Sequence, residues 1–400
     1  MLEFYSGLST AVNSKQAASE CIELALGDDN QDCDLLVIHS TVGHNFPQAL
    51  AAARAACPSA QIVGCSGAGV IGRGSVSENM RAMAVMAARG SELAVASADG
   101  LSAGTSRTVA AKAAEELKAA NNDISIIYCL TTGLDVRGDE VIAGIESVFG
   151  PDIPIIGATA ADNGKAKKTF QFHNDKVMEN GIVLVGFADP SLELVMGIHH
   201  GSVPLAGMTM EVTKSDGNQI LELDGKPSWP TLMSKVGLPI ETPPAECMGI
   251  SGRGIDLVSP EQKAYDNPQV LRATFEVSDD NQTFSWPTSC PEGSKVVLMQ
   301  RDEDLIFDGV DRMTTRMNEA YKERKPEAVF HADCMARGRL TFDRVLKDEI
   351  MAKIQHPICG DTEVPWLGVY GYSEYAPVAG RNEFHSFTTS VFSLVRKEGA

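Results

Sequence analysis

Short apolar runs and alanine-rich amphipathic stretches alternate along the chain, and the same arrangement recurs three times. In each copy, two strand-like apolar runs flank one helical stretch, and a further strand-like run follows. This order is typical of a parallel strand pair joined by a crossover helix, with antiparallel strands added to the sheet. Gly64 and Gly157 lie in corresponding runs and set the second copy 93 positions after the first. The runs and helices of the three copies fall at 34–39, 47–56, 59–66 and 79–86; at 124–128, 138–149, 154–159 and 181–186; and at 328–331, 348–354, 365–370 and 387–394.

The region between the second and third copies has a different pattern. Residues 216–218, Asp-Gly-Asn, separate two β-type runs and predict a hairpin, and a helix is predicted near 229–236. We therefore predict an α/β protein of two domains, built from repeated β-α-β units with added antiparallel strands in mixed sheets. A loop rich in Pro and Gly places the boundary near Pro204. The predicted domains are 1–204 and 205–400.

Composition restricts the class of partner. The 400 residues are 44% apolar and 22% charged, which is enough apolar content for the cores of two soluble domains. The formal net charge of −19 and the isoelectric point near 4.8 repel a phosphate backbone, so no nucleic-acid partner is expected. Glu3 stands where a secretory signal has basic residues, and the longest apolar runs, such as 182–187, are strand-sized. We therefore expect a cytoplasmic protein without membrane insertion.

Cysteine and glycine patterns argue against the commoner cofactor sites. Nine scattered cysteines include no C-x-x-C pair, and no histidine spacing matches a metal motif, so we predict reduced thiols and no metal. Gly67 to Gly72 matches a dinucleotide fingerprint, but the glycines that follow would break the helix that the motif requires. We predict a turn there instead. The glycines from Gly157 to Gly164 lack the spacing of a phosphate loop, so no cofactor is expected.

Small polar residues follow the second apolar run of the first two copies. The first copy offers Cys65 and Ser66, and the second offers Thr159, Asp162 and Asn163. Such residues either form turns by bonding to their own backbone or line a pocket, because ligands of α/β proteins bind at the carboxyl ends of strands. The sequence leaves both interpretations open.

The third copy carries charged groups at the ends of its two predicted strands. Cys334, Arg337 and Gly338 end one predicted strand, and Glu374 follows the next. Arg337 can hold a carboxylate through two hydrogen bonds and Glu374 can hold an ammonium, which suits a free amino acid or another small zwitterion. A structural Arg–Glu pair between two strand ends is the alternative. The predicted polar wall is completed by Tyr372, His385 and Thr388.

A cysteine-dependent hydrolase or transferase is a second possible function for the same residues. Arg337 beside Cys334 would favour the thiolate, and His385 could serve as its base. No signature of a known cysteine hydrolase surrounds these residues. We therefore expect binding rather than catalysis and keep the hydrolase as the alternative.

At these residues the chain resembles the FIST family, whose members pair a FIST N domain with a FIST C domain. The resemblance implies a sensory module of intracellular signal transduction that binds a small polar metabolite, with amino acids proposed as ligands. It also implies a signalling partner protein, because we expect no room in the chain for a kinase, cyclase or F-box output segment. The matching segments are 62–71 and 154–162 in the N-terminal part, and 223–227, 334–338, 368–377 and 384–388 in the C-terminal part.

Two positions depart from the family pattern. Ser373 stands where a glycine is expected before Glu374, and Ala158 stands where a second glycine is usual after Gly157. These substitutions change the turn geometry and the pocket width that the family pattern implies. The full set of predicted ligand-binding residues is Cys65, Ser66, Thr159, Asp162, Asn163, Cys334, Arg337, Gly338, Tyr372, Glu374, His385 and Thr388.

Overall fold

The computed structural model describes residues 1–27, 32–244, 255–256, 269–274, 276–338 and 347–399. Most of these residues form three units with the same order of elements. The first unit comprises β1 (Glu3–Ser9), α1 (Ser14–Leu26), β2 (Leu35–Thr41), α2 (Phe46–Ala56), β3 (Gln61–Gly67), β4 (Gly69–Gly72), β5 (Ser75–Ser77) and β6 (Met83–Arg89). Asn13 and Asn45 cap its two helices, because their side-chain oxygens accept hydrogen bonds from the backbone N–H groups of the first turn.

The second unit repeats this order without interruption. Its elements are β7 (Leu93–Asp99), α3 (Ser106–Ala120), β8 (Ile126–Thr131), α4 (Gly138–Phe149), β9 (Ile155–Thr159), β10 (Gln171–His173), β11 (Lys176–Met178) and β12 (Gly181–Phe187). Asp139 and Glu140 lie in the first turn of α4, where negative charge interacts favourably with the helix dipole.

The third unit begins with β13 (Leu192–His199) and is then interrupted by an insert. The insert comprises β14 (Ser202–Asp216), β15 (Gln219–Leu223), β16 (Lys226–Pro227), α5 (Ser228–Val236), β17 (Ile255–Asp256), β18 (Gln269–Val270), β19 (Glu276–Val277), β20 (Phe284–Ser285) and β21 (Lys295–Arg301). The third unit resumes with α6 (Glu303–Tyr321), β22 (Pro326–Cys334), α7 (Lys347–Cys359), β23 (Trp366–Gly371), β24 (Glu374–Val378), β25 (Arg381–His385) and β26 (Thr389–Arg396). The predicted hairpin at 216–218 and the predicted copies are confirmed, as is the mixed α/β class.

The three units build three six-stranded sheets with one shared topology. The sheet orders are β1-β6-β2-β3-β10-β11, β7-β12-β8-β9-β24-β25 and β13-β26-β22-β23-β4-β5. In each sheet the second and third strands of the unit are parallel neighbours joined by a helix, and the first and last strands extend the sheet on one side.

The outer hairpin of each sheet comes from a different unit. The hairpin β10–β11 of the second unit pairs with β3, the hairpin β24–β25 of the third unit pairs with β9, and the hairpin β4–β5 of the first unit pairs with β23. The units therefore interlock in a ring, and each contributes strands to two sheets. The boundary near Pro204 stays a prediction; β14 runs through it.

The three sheets enclose one hydrophobic core. Val37, Tyr128 and Phe330 occupy corresponding positions on β2, β8 and β22, and all three belong to this core. The ring centroids of Tyr128 and Phe330 are 4.7 Å apart. The outer face of each sheet packs against the two helices of its unit. Because both faces of the central strands are buried, their sequences are continuous apolar runs rather than alternating ones.

One short segment forms a different element from the one that the sequence predicts. Gly69–Gly72 forms β4 rather than the predicted turn, because β23 supplies an antiparallel partner for it. A Cβ on Gly69 would lie 2.8 Å from the Tyr370 ring, so the glycine permits this close pairing.

Among the described residues, no helix combines the length and the apolar character that a membrane span needs.

The insert packs across the carboxyl ends of the second and third units. Gly138 N–H donates to Pro287 O (2.8 Å), and Ser386 N–H donates to Leu271 O (3.2 Å). Leu271 also shares an apolar cluster with Cys334 and Phe387. The insert thus covers one end of the ring of sheets, which is the end that carries the predicted site residues.

Candidate functional site

The carboxyl ends of the parallel strands in all three units meet at this end of the molecule. Ala161 N–H donates to Ser66 O, and Ala68 N–H donates to Tyr370 O, both at 2.9 Å. Thr159 N–H likewise donates to Ser373 O. These bonds join the strand end of each unit to the chain of another, so residues far apart in sequence become neighbours.

The polar residues of the first two units are bonded to backbone groups. Ser66 Oγ donates to Ala161 O (2.8 Å) and accepts from Phe170 N–H (3.0 Å). Thr159 Oγ1 accepts from Ser373 N–H (3.0 Å). These partners lie 95 to 214 positions away in the sequence, so Ser66 and Thr159 tie separate segments together, and the choice between turn formation and a pocket stays open.

Asp162 organises the loop that follows β9. Its carboxylate accepts hydrogen bonds from the backbone N–H groups of residues 165–168 and from the Tyr372 hydroxyl. Burial opposes ionisation, but these donors outweigh it and hold the pKa of Asp162 below its usual value. The neighbouring Asn163 has its Nδ2 2.6 Å from Met80 Sδ.

Cys65 lies in the shared interior rather than at the surface of the strand ends. Its sulphur is 3.4 Å from His39 Nδ1, and His39 Nε2 is 2.8 Å from the Tyr128 hydroxyl. Burial lowers the pKa of His39 to about 3, so the imidazole is neutral. Complete burial also raises the pKa of the Cys65 thiol. This arrangement is a neutral polar cluster inside an apolar core.

Arg337 lies just beyond the end of β22, in the single 3-10 turn Met335–Arg337. The side chain is only 1% exposed. Its Nε donates to Asp333 Oδ1 (3.1 Å) and its Nη1 donates to His200 O (3.1 Å). Its Nη2 is buried and has no hydrogen-bond partner among the described residues. The guanidinium is therefore anchored on one side and leaves one nitrogen available.

Glu374 begins β24 and is completely buried. Neither carboxylate oxygen has a hydrogen-bond partner within the described part of the chain. Burial, reinforced by the charge of Asp333, raises the pKa of Glu374 well above its usual value. Thr388 N–H, the Arg337 guanidinium and the Cys334 thiol approach closely enough to oppose this rise but do not overcome it. This shift favours the protonated form of the Glu374 carboxyl.

Three other predicted residues of the third unit contact Glu78, Ser386 and Asp162. An added Cβ on Gly338 would collide with the Glu78 carboxylate, so the glycine permits that close approach. The Thr388 hydroxyl donates to Ser386 O (2.9 Å), and the Tyr372 hydroxyl reaches Asp162. The third unit thus joins the strand ends of the second through Tyr372.

Cys334 and His385 bond to different backbone groups. The Cys334 thiol donates to Tyr372 O (3.5 Å), and His385 Nε2–H donates to Ala376 O (3.0 Å). Burial, with the nearby Glu374, raises the pKa of Cys334 well above that of a free thiol. Burial also lowers the pKa of His385 to about 4. A nucleophile requires the thiolate, so these shifts oppose the hydrolase alternative, which stays a prediction.

The structure adds neighbours that the sequence did not suggest. Asp333 holds the Arg337 Nε and accepts from the Thr389 hydroxyl (3.0 Å). Arg301 of the insert donates to Ala336 O and stacks over the Phe387 ring. Asp333 lies in β22 and Arg337 in the turn after it, so their ion pair depends on that turn and not on a helical spacing. No local signal linked Arg301 to this site, because it lies on the insert.

A cavity of about 300 Å³ opens at the same end of the molecule. It lies between the residues after β8 and the insert, and its wall includes Gly133, Ala166 and Trp286. Ala166 N–H donates to the Tyr372 hydroxyl (3.0 Å), so Tyr372 lies between this cavity and the strand ends. Arg337 and Glu374 are not part of the cavity wall. A larger cavity of about 640 Å³, beside Arg73 and Lys325, lies at the opposite ends of β22 and β23.

Comparison with known proteins gives a family and distant relatives. An uncharacterized protein of Methanocaldococcus jannaschii is 26% identical over 278 residues, which cover 65% of this chain and 51% of that protein. An uncharacterized protein of Mycobacterium tuberculosis is 24% identical over 399 residues, which cover 97% and 98%. The chain spans about half the length of the first of these curated relatives.

Solved structures give only remote matches. Cyanuric acid hydrolase from A. caulinodans matches with 10% identity and a TM-score of 0.37, covering 99% of this chain and 100% of that one. A chorismatase matches with 9% identity and a TM-score of 0.35, covering 99% of each chain. Scores this low support no inference about function. The family models give a direct result, since the FIST N domain matches residues 34–226 and the FIST C domain matches residues 243–377. The chain therefore belongs to the FIST family.

Proposed function

We propose that this protein is a sensory module that binds a small zwitterion, such as a free amino acid, between Arg337 and Glu374. FIST domains are generally sensory modules that bind small ligands. In the proposed complex, the ligand carboxylate accepts from Arg337 Nη2 and the ligand ammonium donates to Glu374. The protein would report occupancy to a separate signalling partner.

The observation that carries this proposal is the set of unpaired buried atoms. The Arg337 Nη2 donor and both oxygens of the Glu374 carboxyl lack partners among the described residues. Leaving a buried polar group without a hydrogen bond costs roughly 1–3 kcal/mol, and folded proteins rarely tolerate it. A zwitterion offers an acceptor and a donor that would satisfy both residues together.

The protonation of Glu374 gives the proposed binding a pH dependence. The buried carboxyl holds a proton until an ammonium arrives, because its pKa is raised by burial. Binding of the ammonium would expel that proton to solvent. Below the pKa of the ligand-free carboxyl, affinity should therefore fall about tenfold for each unit of pH decrease. Calorimetric titrations in two buffers that differ in ionisation enthalpy would count the released proton.

A thermal-shift screen of free amino acids, amines and small carboxylates tests the proposal, because a ligand of the folded state raises the melting temperature. The ligand-induced shift should disappear in Arg337→Ala and in Glu374→Gln. Glu383→Gln is the matched control, since Glu383 lies on the neighbouring strand and is already paired with Arg272. Circular dichroism would verify that each variant folds. Unchanged ligand shifts in both Arg337→Ala and Glu374→Gln would reject this site.

A further inference from the structure

A second cluster of reactive side chains lies at the other end of the first unit, remote from the strand ends. Cys33 precedes β2, and Cys57 follows α2 directly, where its backbone N–H donates to Ala53 O (2.9 Å). Asp32 lies beside them. One ligand atom from each of the three residues lies within 4.8 Å of the others. Among the described residues, this is the group in which three His, Cys, Asp or Glu side chains come close enough together to hold one metal ion.

We propose that Asp32, Cys33 and Cys57 form a binding site for a thiophilic divalent metal ion, with Zn²⁺ as the best match. Two thiolates and one carboxylate are ligands that Zn²⁺ accepts, and a tetrahedral ion would keep its fourth position for water. Both thiols would lose their protons to solvent on binding, as metal coordination requires. Cys33 and Cys57 are buried, whereas Asp32 is exposed, so the ion could enter from the Asp32 side.

Hydrogen bonds already orient the carboxylate of this cluster. Asp32 Oδ1 accepts from Cys33 N–H (3.0 Å), and Asp32 Oδ2 accepts from Ser59 N–H (3.2 Å) and from the Ser59 hydroxyl. Carboxylates that bind metals are commonly held in this way by neighbouring donors.

Nearby arginines compensate the charge of such a site. Three anionic ligands around a divalent ion leave one net negative charge. Arg89 Nε donates to Asp32 O (3.2 Å), and Arg54 Nη1 donates to Ala60 O (2.6 Å) and approaches Cys57 O (3.5 Å). These two guanidiniums lie close enough to stabilise the metal-bound thiolates. A bound ion would also tie the start of β2 to the end of α2 and so raise the stability of the first unit.

The alternative is that both cysteines only fill space in the core as small buried hydrophobic residues. Cys21 is an example of that role in the same unit, since it is completely buried and its thiol donates to Met83 O (3.2 Å). Cys33 and Cys57 differ because two thiols and an exposed carboxylate come together. The pair could instead oxidise to a disulfide, and the experiment separates that outcome from metal binding.

The test uses the full chain, reduced and freed of metal by a chelator, and titrated with Co²⁺. We expect one equivalent to bind with a thiolate-to-metal charge-transfer band, and Zn²⁺ to displace it and raise the melting temperature. The band should vanish in Cys33→Ser and in Cys57→Ser. Asp32→Asn should bind the metal at least 10-fold more weakly. Removing a residue that only hydrogen-bonds to a metal ligand already lowers metal affinity by roughly 10-fold, and Asp32 would be a ligand itself. The matched controls Cys21→Ser and Asp34→Asn should bind as the parent chain does.

Three outcomes would overturn the proposal. The first is a titration of the parent chain without a charge-transfer band. The second is a band that persists in the double variant Cys33→Ser/Cys57→Ser. The third is a Cys33–Cys57 disulfide that forms in air while the reduced protein takes up no metal. If a cysteine variant fails to fold, the metal affinities of Asp32→Asn and Asp34→Asn are compared instead, because both residues are exposed. Equal metal affinity in these two variants would reject the site.

Discussion

Two buried arginines act on glutamates of the β24–β25 hairpin in different ways. Arg272 forms an ion pair with Glu383, whereas Arg337 forms one with Asp333 and acts on Glu374 only through its charge. Arg272 of the insert is 2% exposed and donates to Glu383 Oε1, to Thr288 Oγ1 (3.0 Å) and to the carbonyl oxygens of Leu271 and Phe384. Arg337 is equally buried, but one of its nitrogens and both oxygens of Glu374 have no partner among the described residues.

The pKa values of the two glutamates follow from this difference. Burial alone would raise the pKa of Glu383, but Arg272, His385 and two hydrogen bonds outweigh it, and the pKa of Glu383 lies below its usual value. The Glu383 side chain also keeps 33% of its surface in solvent. Burial dominates at Glu374 and raises its pKa. The Arg272–Glu383 pair ties the insert to the hairpin, whereas Arg337 and Glu374 keep buried polar atoms that have no partner among the described residues.

Removal of Arg272 should have the largest effect on stability. Arg272→Ala breaks the bonded pair and leaves Glu383 and two backbone carbonyls without their donor. We expect the free energy of unfolding to fall by about 3 kcal/mol, near the low end for a broken buried pair because Glu383 retains contact with solvent. Urea denaturation at pH 7 measures the change. A loss below that of a surface arginine such as Arg107→Ala would contradict the structural role.

Glu374→Gln should change how stability depends on pH. The folded pKa of Glu374 is raised, so the unfolded chain releases this proton at lower pH than the folded chain does. Stability of the parent chain should therefore fall as pH rises from the unfolded pKa towards the folded one, by about 1.4 kcal/mol per pH unit. Glu374→Gln lacks this loss. Urea denaturation from pH 5 to 8 compares the two chains, and parallel curves would show that Glu374 is not a protonated buried acid.

Thr288→Val would convert part of the bonded pair into an unbonded one. The change removes the acceptor of Arg272 Nε while nearly conserving side-chain volume. A buried donor without a partner costs roughly 1–3 kcal/mol, and we expect about 1.5 kcal/mol. Thermal and urea unfolding would detect it. A change near zero would mean that water or the backbone replaces Thr288, and that unbonded arginine atoms carry little cost in this protein.

Glu383→Gln should have the smallest effect and the opposite pH dependence to Glu374→Gln. The pKa of Glu383 is lowered, so its charge stabilises the fold above its unfolded pKa, and that contribution disappears as pH falls through the folded pKa. We expect a loss of about 1 kcal/mol at pH 7, because solvent screens a partly exposed pair. The difference from the parent chain should vanish once the pH lies below the folded pKa of Glu383. A difference that grows at low pH would reverse the assignment.

The local elements could be predicted because their signals are local. The runs that became β2, β8 and β22 are continuous and apolar, since both faces of these strands are buried. The charged strand ends of the third unit were also visible, because Arg337 and Glu374 follow apolar runs in the sequence. The resemblance to the FIST family was confirmed by the family models.

The exchange of hairpins between units could not be predicted. The strand β4 pairs with β23, nearly 300 positions away in the sequence. The residues of β4 do not specify β23 as the partner in preference to a strand that is nearer in the sequence. Similarly, Cys33 and Cys57 stand 24 positions apart, which matches no metal motif, and only the packing of α2 against the first sheet brings their thiols together. The sequence therefore predicted no metal.

The amino-acid sequence by itself determined the α/β class, the threefold repeat and the chemical types gathered at the strand ends, because periodicity and residue chemistry act over a few positions. Only the tertiary structure decided which charges are bonded. Arg272 and Arg337 carry the same guanidinium, and their difference arises from the atoms that packing places within hydrogen-bond distance of each. Those distances depend on pairings between units and on the position of the insert, and no short stretch of sequence encodes them.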